Sequence, residues 1–129
     1  MSKGLVTKLF ISAVGAVVIG IIVALGALVA ALAAGAVSIG GPSVVTVNGA
    51  ALAGSVVWFI VGGVLIAAGE LAAIGAWIGA LINTSQLDDK TWFLALLVLG
   101  VFSLGWIAMV AYVFAGPDST SAPRQVLAA

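Results

Sequence analysis

Between Lys8 and Asp88 the chain carries one charged side chain, Glu70, in a background of Ala, Gly, Val, Leu, Ile, Ser and a few aromatics. Nothing constrains the fold more. A soluble domain of ordinary composition devotes about 25% of its residues to charge, whereas 6% of these 129 residues are charged and 64% are hydrophobic. That leaves too little polar surface to coat a globule in water. The sequence therefore predicts an all-α, polytopic membrane protein, a three-helix transmembrane bundle with a four-span arrangement as the alternative.

Residues 1–8 form a short basic leader with Lys3 and Lys8. Residues 9–37 hold neither charge nor proline and exceed the ~20 residues that cross a bilayer, so they are read as the first transmembrane helix. A cleaved signal peptide is the rival reading, on the small residues at 31–36, but its apolar region would run to only about 7–15 residues. Residues 38–52 form an uncharged outer loop, broken by Gly40, Gly41 and Pro42. Within it Val44, Val45, Thr46 and Val47 favour a brief extended stretch, and Asn48 and Gly49 a turn. The second helix is expected over 53–82. Because this run is long, a break near Gly62, Gly63 or Gly69 would give four spans. A polar cytoplasmic loop follows at 83–90, where Asp88 and Asp89 are placed to cap the next helix. The third helix is expected over 91–115, with a flexible tail at 116–129.

Aromatic residues frame these runs. Trp58 and Trp77 stand ~28 Å apart along a continuous helix, and Trp92 and Tyr112 ~30 Å, each spacing matching the hydrocarbon thickness with a ring at either interface. Lys3, Lys8 and Lys90 fall on one side of a three-span chain and Arg124 on the other, which favours a cytoplasmic N-terminus and an outer C-terminus. The implied location is the bacterial inner (plasma) membrane. Trp106 falls mid-span, where its indole N–H needs an acceptor from a neighbouring helix.

Small residues at four-residue spacing let helix backbones approach in lipid. Ser12, Ala16, Gly20 and Ala24 make one row, Ala68, Ala72, Ala76 and Ala80 another, and Gly75 and Gly79 a GxxxG pair. Glu70, an intramembrane carboxylate, demands a reason. Three readings stand: a hydrogen bond inside the bundle, contact with a partner, or proton or ion transport. Gly63, Ala67 and Ala73 are its small helical neighbours, which points it to a close-packed face, and Ser103 lies at similar depth as a candidate partner.

The inventory excludes much chemistry. With no cysteine and no histidine there is no disulfide, thiolate or imidazole catalysis, and no catalytic residue, cofactor or metal site is expected. Zero net charge offers no basic patch for nucleic acid. Expected partners are the lipid bilayer and other membrane helices, from a second copy or a larger complex. Asn83, Thr84 and Ser85 fit a glycosylation pattern but abut the membrane on the inner side. The ending Val126, Leu127, Ala128, Ala129 is either ordinary or a handle like those read by bacterial tag-directed proteases.

Trp77, Ile78, Gly79, Ala80, Leu81 and Ile82, then Lys90, Thr91, Trp92, Phe93 and Leu94, then Gly105 and residues 112–116, resemble the two-helix membrane module preceding phospholipase D-type nucleases and cardiolipin synthases. The resemblance covers residues 70–117 and implies a membrane anchor standing alone, since the associated enzyme needs a histidine that this chain lacks. The whole chain is similar to phage holins in size, Ala/Gly/Val content and scarcity of charge. An ATP synthase rotor subunit shares a mid-membrane carboxylate but has a basic polar loop where Gly40, Gly41 and Pro42 stand here. The expected role is non-enzymatic: helix–helix association, as an accessory subunit or envelope modulator, or alternatively as a holin-like oligomeric pore.

Overall fold

The computed structural model describes residues 2–41 and 45–117. Pro42, Ser43 and Val44, and the tail from residue 118 with Arg124 and the possible protease handle, lie outside the described residues. Four helices and one β-hairpin follow in order: α1 (Lys3–Ala33), β1 (Val37–Ile39), β2 (Val45–Val47), α2 (Gly49–Ser85), α3 (Thr91–Val101) and α4 (Gly105–Ala115). The framework is all-α apart from the hairpin. Two helices, α1 with 31 residues and α2 with 37, are long and apolar enough to cross a membrane. The chain divides into two compact units, Val14–Glu70 and a second built from Met1–Ala13 with Leu71–Ala129.

In the unit Val14–Glu70, α1 ends in a Schellman motif. The Ala36 N–H donates to the Ala31 carbonyl (2.9 Å) and the Gly35 N–H to Leu32 (3.1 Å), with Gly35 left-handed at φ 68°. Glycine meets that geometry without a Cβ penalty. The chain then enters the antiparallel pair β1–β2, in register Val37 with Val47, Ser38 with Thr46 and Ile39 with Val45. The extended stretch expected near Val45 is present as β2, and its pairing partner β1 takes residue 37 into a strand instead of the first helix. Asn48 does not form the expected turn with Gly49. Its Oδ1 accepts the N–H groups of Ala50 (3.2 Å) and Ala51 (3.3 Å), which makes it the N-cap of α2 and satisfies donors the helix start leaves open.

α1 and α2 then meet backbone to backbone. A Cβ built on Gly20 would lie 2.8 Å from the Gly62 carbonyl oxygen and 2.9 Å from the Ile66 nitrogen. One on Gly62 would lie 2.8 Å from the Gly20 carbonyl oxygen and 3.0 Å from the Ala24 nitrogen. Only glycine fits at both positions. α2 runs unbroken through Gly62, Gly63 and Gly69, so the second apolar run does not supply an extra span.

In the other unit the third apolar run differs from expectation. It is not one helix over 91–115 but two of 11 residues each, separated at Phe102, Ser103 and Leu104. Ser103 is left-handed at φ 62°. The Leu104 N–H donates to the Leu99 carbonyl (2.8 Å) and the Ser103 N–H to Gly100 (3.2 Å), a second Schellman motif, here with serine in the glycine position. α4 turns back on α3. The Trp92 and Tyr112 ring centroids are 6.3 Å apart in an edge-on arrangement at 70°. The expected placement of these rings at opposite ends of a ~30 Å span is therefore corrected: they close the base of a helical hairpin.

Burial follows a seven-residue period. On α1 it takes in Val6, Ala13, Gly20 and Ala27, with Phe10 and Ala31 four residues after the first and last; on α2 it takes in Ser55, Gly62, Gly69, Ala76 and Asn83, interleaved with Ala73 and Ala80. This is the spacing of a coiled-coil seam, lined mostly by small side chains. The large aliphatic ones point outward: Ile22 is 64% exposed, Val29 65% and Leu71 70%. The buried hydroxyls settle on their own helix, Ser55 on the Ala51 carbonyl (2.6 Å) and Thr84 on Ala80 (2.8 Å), so each donor is satisfied without water.

Candidate functional site

Glu70 is carried on α2 at an exposed position. Its carboxylate makes no hydrogen bond or ion pair among the described residues. The position is not the close-packed one that its small neighbours Gly63 and Ala67 suggested, and Ser103, the candidate partner, is itself exposed and serves the α3–α4 turn. The reason lies in helical phase. The seam on α2 passes through Gly69, one residue earlier, and a single step rotates the side chain by about 100° away from it.

The surface around Glu70 is small and open. Gly63 and Ala67, seven and three residues earlier on the same face, are both exposed. A Cβ on Gly63 would meet nothing within 4 Å. Val56, Ile60 and Ile74 extend the strip in the same 3–4 rhythm and are exposed too. The carboxylate thus stands on an exposed strip of glycine, alanine and aliphatic side chains.

A second cluster joins the ends of four helices within the unit built from residues 1–13 and 71–129. The buried Asn83 donates through Nδ2 to the Tyr112 hydroxyl. Lys3, at the start of α1, donates to the Gly116 carbonyl just past α4 and lies 5.9 Å from the Tyr112 ring centroid. Trp92, at the start of α3, abuts the same ring. Gly116 is required there because a Cβ would fall 2.3 Å from Tyr112 Cδ2. Lys3, Asn83 and Tyr112 each have a structural partner here, so the arrangement reads as a clasp.

Further along the same unit, Trp77 donates through Nε1 to the Leu96 carbonyl at 2.9 Å and covers Gly100, where a Cβ would lie 2.3 Å from Cζ2. Trp77 thus packs α2 on α3 and is not simply an interface marker, whereas Trp58 is 56% exposed. Trp106 packs on Phe10 with centroids 5.3 Å apart; this is a helix contact, as its position suggested, but its indole finds no acceptor among the described residues.

Of the other packing candidates, Gly20, Ala76, Gly79 and Ala80 are buried, Ala16, Ala24, Ala72 and Gly75 are half-buried and Ala68 is exposed. Sequence reasoning missed Asn83, Tyr112 as its partner, and Gly62. The signal for Gly62 was its seven-residue spacing to Ser55 and Gly69.

Asp89 accepts from the Thr91 hydroxyl (2.6 Å) and the Thr91 N–H (2.9 Å). These bonds, the hydroxyl first, hold its carboxyl below the usual aspartate value. Asp88 makes no such bond, and Lys90 occupies the cap position of α3. Among the described residues no group of three or more His, Cys, Asp or Glu side chains could hold a metal ion. No family model, curated protein or solved structure matches the chain.

Proposed function

We propose that this chain is a non-enzymatic integral membrane protein that associates with other membrane helices through the Glu70 face of α2. The observation that carries the membrane reading is the inverted size distribution: the seam is alanine and glycine while isoleucine, valine and leucine face outward. In water this would bury the wrong residues. In lipid, where apolar burial between helices gives no drive, close approach of small residues is what holds helices together.

With α1 and α2 as the two full crossings, Lys3, Lys8 and Lys90 share one side, and the positive-inside rule makes that side cytoplasmic. The location is then the bacterial plasma membrane. The role is that of an accessory subunit or envelope modulator.

The Glu70 face supports the association. A carboxylate at hydrocarbon depth with no partner in its own chain is costly, and a basic or hydrogen-bond-donating residue on another helix removes that cost. Since no lysine or arginine lies between Lys8 and Lys90, a second copy has no cation within its apolar runs to answer Glu70. The favoured partner is a different membrane helix bearing Lys or Arg.

Purification from native membranes in mild detergent tests this. Wild type is expected to bring down a stoichiometric membrane partner that Glu70→Ala loses and Glu70→Gln retains in part. Equal recovery with all three would refute the role given to Glu70. A holin-like pore is the second reading, favoured by the same outward carboxylate, which an oligomer could turn toward a lumen. Growth arrest with collapse of membrane potential on expression, and no co-purifying partner, would select the pore.

A further inference from the structure

We infer that the α3–α4 hairpin is a one-leaflet insertion: it enters the bilayer from the side of the N-terminus, turns at Ser103, returns to that side, and so biases the protein toward bilayers convex on that face. The inference rests on the membrane reading above. It replaces a third crossing and moves the end of α4 to the side on which the chain begins.

Length is the first support. Each helix has 11 residues, ~16 Å at 1.5 Å per residue, which is about half of the ~30 Å hydrocarbon thickness. Neither can cross, and the pair reaches the midplane. The turn is the second. Tips of helical hairpins exposed to water are polar, but this one presents Val101, 71% exposed, and Phe102, 72% exposed, with Leu104 beside them. Only hydrocarbon suits that surface. The Schellman bonds of Ser103 and Leu104 engage two of the amide donors that a turn in lipid would otherwise leave open.

The base is the third support. Between Thr91 and Gly116 there is no charge, whereas Asp88, Asp89 and Lys90 stand immediately before it. Trp92 and Tyr112 lie side by side at this end, where an interfacial aromatic belt belongs. Lys3 contacts both Tyr112 and Gly116, which fixes the start of α1 and the end of α4 at one boundary.

The consequence for lipid is geometric. α1 and α2 occupy both leaflets, while α3 and α4 add two further helix cross-sections, each ~80 Å² for a 10 Å cylinder, to one leaflet alone. Extra area in one leaflet is accommodated best where that leaflet is convex.

The chain has no cysteine, so Ser2→Cys, Phe102→Cys and Pro117→Cys each give the full-length protein a unique thiol. In sealed vesicles with a membrane-impermeant maleimide, positions 2 and 117 are expected to label from the same side, and 102 from neither until detergent is added. Labelling of 117 from the side opposite to 2 would overturn the hairpin in favour of a single straight span, while leaving the membrane reading intact. Free labelling of all three without detergent would overturn both. Rapid disulfide formation between copies of Phe102→Cys would reassign the tip to a self-interface and overturn the lipid contact.

For curvature, the fraction of Ser2→Cys protein labelled from outside is compared between vesicles of ~30 and ~200 nm diameter. At least a twofold rise in the ratio of outward to inward orientation is expected in the small vesicles. An unchanged ratio would overturn the curvature preference.

Discussion

Gly20 and Gly62 set the distance between α1 and α2, and backbone atoms set the limit at both. A methyl group at either would sit 2.8 Å from a carbonyl oxygen, and backbone cannot swing aside as a side chain can. Gly20→Ala and Gly62→Ala should each destabilise the fold by about 1–3 kcal/mol, the usual range for overpacking, when unfolding is followed in detergent. Gly63→Ala, facing open space one residue away, should leave stability unchanged. Equal effects of Gly62→Ala and Gly63→Ala would show that the seam has been placed on the wrong face. Ser103 presents the opposite case. It holds a left-handed φ that costs a non-glycine residue roughly 1–2 kcal/mol, so Ser103→Gly is expected to raise the midpoint of thermal unfolding, and a fall would contradict the turn geometry.

The elements divide into those legible from composition and those that are not. The existence of α1 and α2 follows from their apolar runs, but their ends differ from expectation: α1 begins at Lys3, inside the expected leader 1–8, and α2 starts at Gly49, where Asn48 caps it, and ends at Ser85. The break in the third run was not legible. Phe102, Ser103 and Leu104 include neither glycine nor proline, so an apolar window extends across them as one span. What stops the helix is a serine in the left-handed region, a conformation its residue type does not announce. The β-hairpin was half legible, since the extended stretch near Val45 was expected but its pairing with Val37 depends on the Gly35 cap. The four-residue rows caught Gly20, Ala76 and Ala80, which also belong to the seven-residue seam, and overlooked Ser55, Gly62 and Asn83, which are visible only at the longer period. Glu70 stood out at once by charge, but its direction depended on a phase difference of one residue from Gly69.

Two predictions belong to the elements. Trp77→Phe removes the bond to the Leu96 carbonyl and should cost about 1 kcal/mol, with faster amide exchange in α3. No change in exchange would indicate that α2 does not brace α3. At the start of α3, Asp89 has a carboxyl depressed by its bonds to Thr91. Its contribution is present above the unfolded aspartate value and is lost as pH falls through the lower folded value. Exchange of the Thr91 amide should therefore accelerate only on acidification below the ordinary aspartate range, and Asp89→Asn should blunt that response. An identical acid response in the variant would assign it to another group.

For the molecule as a whole, the proposed hydrocarbon solvent accounts for the inside-out residue sizes, the self-satisfied hydroxyls and the apolar turn, while the outward carboxylate is the one feature that needs a partner as well. Under that proposal, hydrocarbon around α1 and α2 would make alanine and glycine the residues of contact and isoleucine and valine the residues of exposure. The most direct test places single cysteines at the outward positions Ile22 and Val64 and follows their reaction with a water-soluble maleimide in intact membranes, against Ser2→Cys as the wetted reference. Both are expected to react at least tenfold more slowly than the reference and to become reactive once the protein is unfolded in detergent. Reaction at the reference rate in intact membranes would mean that water bathes this surface, and the account would fail.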